Sequence, residues 1–122
     1  MEINKTLIIP CKDEGEEFSN ILNRFLDYLD ETTLVLIVVD EENDSSLNAI
    51  CNLKRNVKIL VNTYGPGPAL AIKYGIDHSI GSSICIAMGD GSDDPKQVED
   101  LFLLIERGLS VAVASRYTKN GK

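Results

Sequence analysis

Basic charge is scarce in this sequence of 122 residues: 12 Lys and Arg stand against 19 Asp and Glu, a net charge of -7. Nucleic acid is thereby excluded as a partner, because a phosphate backbone is met with clustered Lys and Arg. Histidine occurs once, as His78, with no Cys or His nearby at ligand spacing, so a zinc site is not expected. Cysteine is limited to Cys11, Cys51 and Cys85, an odd and widely spaced set without a Cys-x-x-Cys pair. That usage predicts reduced thiols in a cytoplasmic chain, not a disulfide framework. Long apolar runs are missing too. No stretch approaches the roughly 18 residues of a transmembrane span, and "TLIIPC" is too short and too closely followed by acid to read as a cleavable signal.

What is present is the composition of one soluble domain, 43% hydrophobic and 25% charged. Five apolar, β-branched runs recur: "TLIIPC" (6–11), "LVLIVVD" (34–40), "VKILVN" (57–62), "SICIAMGD" (83–90) and "LSVAVAS" (109–115). They are continuously apolar instead of alternating, as in strands covered on both faces. Helical spacing lies between them. Phe18, Ile21, Leu22, Phe25, Leu26 and Leu29 form one stripe, and Val98, Leu101, Phe102 and Ile105 another before Gly108. Further helices are expected over about Ala69–Ser79 and Ser46–Leu53. This alternation predicts an α/β fold: a mostly parallel sheet of about five strands, in the order 3-2-1-4-5, with helices on both faces. Ligands of such sheets bind beyond the carboxyl ends of the strands, which here carry Pro10–Glu14, Asp40–Asp44, Asn62–Gly67, Gly89–Asp94 and Ser115–Arg116.

Three of these ends have motif character. In "ICIAMGDGSDDPKQVED" (84–100), Asp94-Pro95 with Gln97 reads as a helix cap. Asp90, with a glycine on each side, is either a hard oxygen ligand for Mg²⁺ or Mn²⁺ or a plain turn residue. "NTYGPGPALAIKYG" (62–75) feeds a Gly-rich turn into a helix, but Pro66 and Pro68 remove donors that an anion cradle would need, which favours a tight turn with Pro68 opening the helix. "VVDEENDSS" (38–46) ends a strand in Asp40, suited to a ribose or base hydrogen bond or simply solvated, with Asp44 capping the next helix.

Together, "LIIPCKDEGEEFSNIL", "LIVVDEENDSS", "GPGPALAIKYGID", "IAMGDGSDDPKQVEDL" and "VAVASRYTKNG" resemble, in order and spacing, the family-2 glycosyltransferases of GT-A fold. The nearest subgroup is that of polyprenyl-phosphate sugar transferases, similar to dolichol-phosphate mannose synthase. The resemblance implies a Rossmann-like nucleotide-binding half, residues 1–122, of a longer catalytic domain. It implies Pro10, Lys12 and Glu14 around the base and ribose of a nucleotide-sugar donor. Asp40 is implied on the nucleotide, Gly89 and Asp90 at the donor, and Asp90 and Ser92 at a Mg²⁺ or Mn²⁺ ion. Arg116 is implied near the phosphates. It also implies a polyprenyl phosphate acceptor, met at the cytoplasmic membrane face. A half-domain with a bare edge is expected to pair into a homodimer.

This sequence departs from the family pattern at three places. Met88 stands where the first acid of Asp-x-Asp is usual, Lys12 where an aromatic is common, and Asp40-Glu41-Glu42-Asn43 where Asp-Asp-Gly-Ser is usual. These changes predict altered donor and metal binding, and with the short chain they support a second reading, a nucleotide-binding module without catalysis. A receiver-type signalling domain is disfavoured, because its middle strand should end in an acid and this one ends in Val61-Asn62.

Overall fold

The computed structural model describes residues 3–48, 50, 56–81, 83–90, 94–106 and 111–113. Five parallel strands, β1 (Lys5–Pro10), β2 (Thr33–Val39), β3 (Val57–Val61), β4 (Ser83–Ile86) and β5 (Val111–Val113), form one sheet in the order β3-β2-β1-β4-β5. Each neighbouring pair is parallel, with Pro10 opposite Val38 and Ile8 opposite Ile86. The order reverses direction between β1 and β4, so the ends of β1, β2 and β4 open onto one crevice, the place where such sheets bind ligands.

The continuous apolar runs have the reason expected of them. Because side chains alternate across a strand, Leu7, Ile9, Val35, Ile37, Val39 and Cys85 point to one face and Ile8, Leu34, Leu36, Val38 and Ile86 to the other. The first face packs against α1 (Phe18–Tyr28) through Phe18, Leu22 and Phe25, and against α3 (Pro95–Glu106) through Val98 and Phe102. Full burial of a side chain such as Phe25 contributes about 1.5–3 kcal/mol. The second face receives α2 (Pro68–Asp77) through Ala71 and Gly75. Gly75 lies so close to the sheet that a Cβ there would stand 2.7 Å from Ile8 Cγ2. Among the described residues, no helix is long and apolar enough to cross a membrane.

Two expectations are adjusted. In its described residues, the helix expected over Ser46–Leu53 is a 3-10 turn at Ser45–Leu47. Leu47, Asn48 and Ile50 each donate to the carbonyl three residues back, the tighter pattern that ends quickly. The fourth apolar run stops being strand at Ile86. Ala87 still donates to the Ile8 carbonyl, and the chain then turns at Gly89–Asp90. Cys51, Ser92, Gly108 and Arg116 lie outside the described residues.

Candidate functional site

Beyond Pro10 the chain leaves β1 as Cys11-Lys12-Asp13-Glu14-Gly15. Cys11 remains tied to β2, its amide donating to the Val38 carbonyl at 2.9 Å. Asp13 then adopts a left-handed backbone, φ 52°, a conformation uncommon outside glycine. It is held there from a distance. The Asp13 amide donates to both carboxylate oxygens of Asp44, at 3.0 and 3.1 Å, and the Glu14 amide donates to the Ser46 hydroxyl at 2.8 Å. Asp44 also caps the 3-10 turn, accepting from the Ser46 amide at 2.8 Å. Asp44 and Ser46 are buried, at 7% and 1% exposure, whereas Lys12 and Asp13 stand in solvent.

At the end of β2, half-buried Asp40 accepts from the Asn62 side-chain amide at 3.1 Å and from the Gly67 amide at 3.4 Å. Asn62 also donates to the Gly65 carbonyl and accepts from the Tyr64 amide, so one buried amide side chain organises the turn from β3 into α2. The turn reading of residues 62–75 holds. Gly67, φ 104°, precedes Pro68 at the first helical position, and the Gly67 amide donates to Asp40. A carboxylate accepts about four hydrogen bonds, so Asp40 keeps capacity for a ligand.

Two cavities flank these residues. One of about 430 Å³ is lined by Lys12, Asp13, Asp40, Glu41, Asp44 and Asn62, with the Thr63–Pro66 turn. The other, about 250 Å³ and more apolar, is lined by Pro10, Cys11, Lys12, Glu14, Asp40 and Met88, with the start of α2. Lys12 and Asp40 belong to both, so the two are compartments of one crevice. Lys12 is the cation among the described lining residues, facing several carboxylates.

A match to a known family decides what kind of crevice this is. Residues 6–122 fit the family model described as "Glycosyl transferase family 2". The chain belongs to that family. It is similar, at 23% identity over its whole length, to an uncharacterized glycosyltransferase of Synechocystis sp., of which it spans 40%. The α/β fold with a parallel sheet agrees with the Rossmann-like GT-A architecture of family 2.

Within this crevice the structure brings together Pro10, Lys12, Glu14 and Asp40. Gly89 is buried behind the wall: a Cβ there would meet Cys11 Sγ at 2.7 Å and Phe18 Cε1 at 3.3 Å, so it brings β4 close to the β1 loop. Asp90 follows, exposed to solvent. Burial raises the Glu14 carboxyl above its ordinary range, and the charges of Asp90, Asp44 and Asp13 add to the rise. Asp90 and Glu14 therefore share one electrostatic neighbourhood. Asp94 caps α3, its carboxylate accepting from the Lys96 amide at 3.0 Å.

The donor set suits a cation only in company. Among the described residues there is no cluster of three or more His, Cys, Asp or Glu able to hold a metal alone. Met88 offers a soft thioether, which Mg²⁺ and Mn²⁺ do not favour. Exposed Asp90 fits the pattern of one or two carboxylates completed by substrate phosphates. Sequence reasoning missed the grip of Asp44 on Asp13 and of Asn62 on Asp40. Both join residues far apart in the chain, 31 and 22 positions. The only local signal was a run of capping residues, Asn43-Asp44-Ser45-Ser46.

Proposed function

We propose that this chain is the donor-binding part of a glycosyltransferase that moves a sugar from a nucleoside-diphosphate sugar to an acceptor. The observation that carries this reading is the meeting of Lys12, Glu14 and Asp40 on one crevice at the strand ends of a family-2 fold, with the charge of exposed Asp90 acting on Glu14. Asp40 takes hydrogen bonds from the nucleoside and Lys12 faces the anionic part of the donor; Asp90 and, by the motif resemblance, Ser92 would hold Mg²⁺ or Mn²⁺. When bound, the ion supplies charge neutralisation for the leaving nucleoside diphosphate. An acceptor oxygen then attacks the anomeric carbon as the bond to the diphosphate breaks.

The motif resemblance to polyprenyl-phosphate sugar transferases supports a polyprenyl phosphate acceptor, met at the cytoplasmic face of a membrane. Such an acceptor is already anionic and needs no base. Arg116, by the same resemblance, pairs with the phosphates. Arg116→Ala weakens binding of a nucleoside diphosphate more than of the nucleoside, because a charge-assisted bond to phosphate is lost; calorimetric titration with UDP and uridine, and with GDP and guanosine, checks it. The second reading, a nucleotide-binding module without transfer, is favoured by Met88 in place of an acid. The two separate on release of sugar from UDP- and GDP-sugars, with and without polyprenyl phosphate. Turnover supports the transferase, and tight binding without turnover supports the module.

A further inference from the structure

We infer that Asp44 and Ser46 are positioning residues for the donor crevice, acting by fixing the backbone of residues 12–14. The inference rests on the donor-binding reading above and adds to it two side chains that only the tertiary contact brings into play. A three-residue 3-10 turn such as Ser45–Leu47 needs one cap bond, and Asp44 supplies it to the Ser46 amide. The remaining bonds have no such local purpose. Asp44 spends both oxygens on the Asp13 amide, and Ser46 spends its hydroxyl oxygen on the next amide, that of Glu14.

The target of these bonds is unusual. Asp13 is the described non-glycine residue with positive φ, and a backbone in that region persists only where its surroundings enforce it. The residues on either side of it, Lys12 and Glu14, line the crevice, as Asp13 itself does. If the loop relaxed to an extended backbone at Asp13, Lys12 and Glu14 would turn away from Asp40. Ser46 is buried and lines neither cavity, so its substitution alters the donor site through the loop it holds. Asp44 is buried but reaches the wall of the larger cavity, and recovery by a second change at Asp13 separates its hold on the loop from a direct contact with ligand.

The test is calorimetric titration of the chain with UDP and with GDP in the presence of Mn²⁺, alongside amide hydrogen exchange at Asp13 and Glu14. Asp44→Ala lowers affinity for the nucleotide that binds by about tenfold, the scale of a lost hydrogen bond to a charged group. Asp44→Asn keeps an oxygen in the Oδ1 position, which accepts from both amides, and restores affinity to within about threefold of the parent. Ser46→Ala, the milder change if Asp44→Ala does not fold, lowers affinity roughly threefold and speeds exchange at Glu14. Adding Asp13→Gly to Asp44→Ala recovers affinity, because glycine adopts the left-handed backbone without the carboxylate's help. A general loss of stability would instead speed exchange across the whole sheet and not only at Asp13 and Glu14.

If exchange at Asp13 and Glu14 accelerates while affinity stays at the parent value, the inference is overturned and the donor reading stands. Failure of Asp13→Gly to recover any affinity also overturns it. A parent chain that binds neither nucleotide overturns the donor reading itself, and this inference with it.

Discussion

Two side chains of the β1 loop are pushed towards their neutral forms by the same surroundings. Burial, aided by the charges of Glu14 and Asp44, pushes the Cys11 thiol far above its ordinary value. Cys85 is buried as well. Because the thiolate is the reactive form, Cys11 and Cys85 are expected to resist alkylation at neutral pH until the chain unfolds, as mass mapping of iodoacetamide adducts at increasing urea will show. Glu14 is raised from an ordinary 4.5, first by burial and then by its acidic neighbours. Below 4.5 the carboxyl is protonated in both folded and unfolded chains and its contribution is neutral. As pH rises from there through the higher folded value, the unfolded chain ionises first, and stability is lost relative to acid. Glu14→Gln, which keeps an oxygen for the Lys12 amide, should therefore stabilise the nucleotide-free chain at pH 7, the gain fading towards pH 4. Urea denaturation at the two pH values measures this, and a gain that grows on acidification would refute the sign.

At the scale of elements, legibility followed the range of the interactions. The α1 stripe, the Pro68 start of α2 and the Asp94 cap of α3 are written within one or two turns of sequence, and all are found where the spacing puts them. Loss of the Asp94 cap in Asp94→Ala should cost about 1 kcal/mol of stability, readable by chemical denaturation and independent of nucleotide. Gly89 has a different reason to be glycine, since its missing Cβ is what lets β4 approach Cys11 and Phe18. Gly89→Ala should destabilise by about 1–3 kcal/mol through overpacking, and Cys11→Ser beside it should not relieve the clash with Phe18. The shape of the segment after β2 was not legible. Its capping residues predict a helix start, and Asp44 does cap the turn there, but nothing local says that it also holds an amide 31 positions back.

For the whole molecule, the order β3-β2-β1-β4-β5 could be anticipated because alternating strands and helices with right-handed crossovers leave few arrangements. The crevice follows from that order, as the point where the chain turns from building one side of the sheet to the other. Which carboxylates there face a ligand and which are spent on the fold did not follow, since Asp40 and Asp44 look alike in sequence. In the structure Asp44 is committed to backbone amides, whereas Asp40 keeps spare lone pairs at the junction of two cavities. The central claim is that this acidic crevice takes a nucleoside diphosphate with a divalent cation shared at Asp90. Its most direct measurement is calorimetric titration with UDP and GDP, each with and without Mn²⁺, on the parent chain and on Asp90→Asn. The account predicts that one of the two nucleotides binds, that Mn²⁺ tightens it at least tenfold, and that Asp90→Asn removes most of that gain. Binding indifferent to both Mn²⁺ and Asp90→Asn would contradict it.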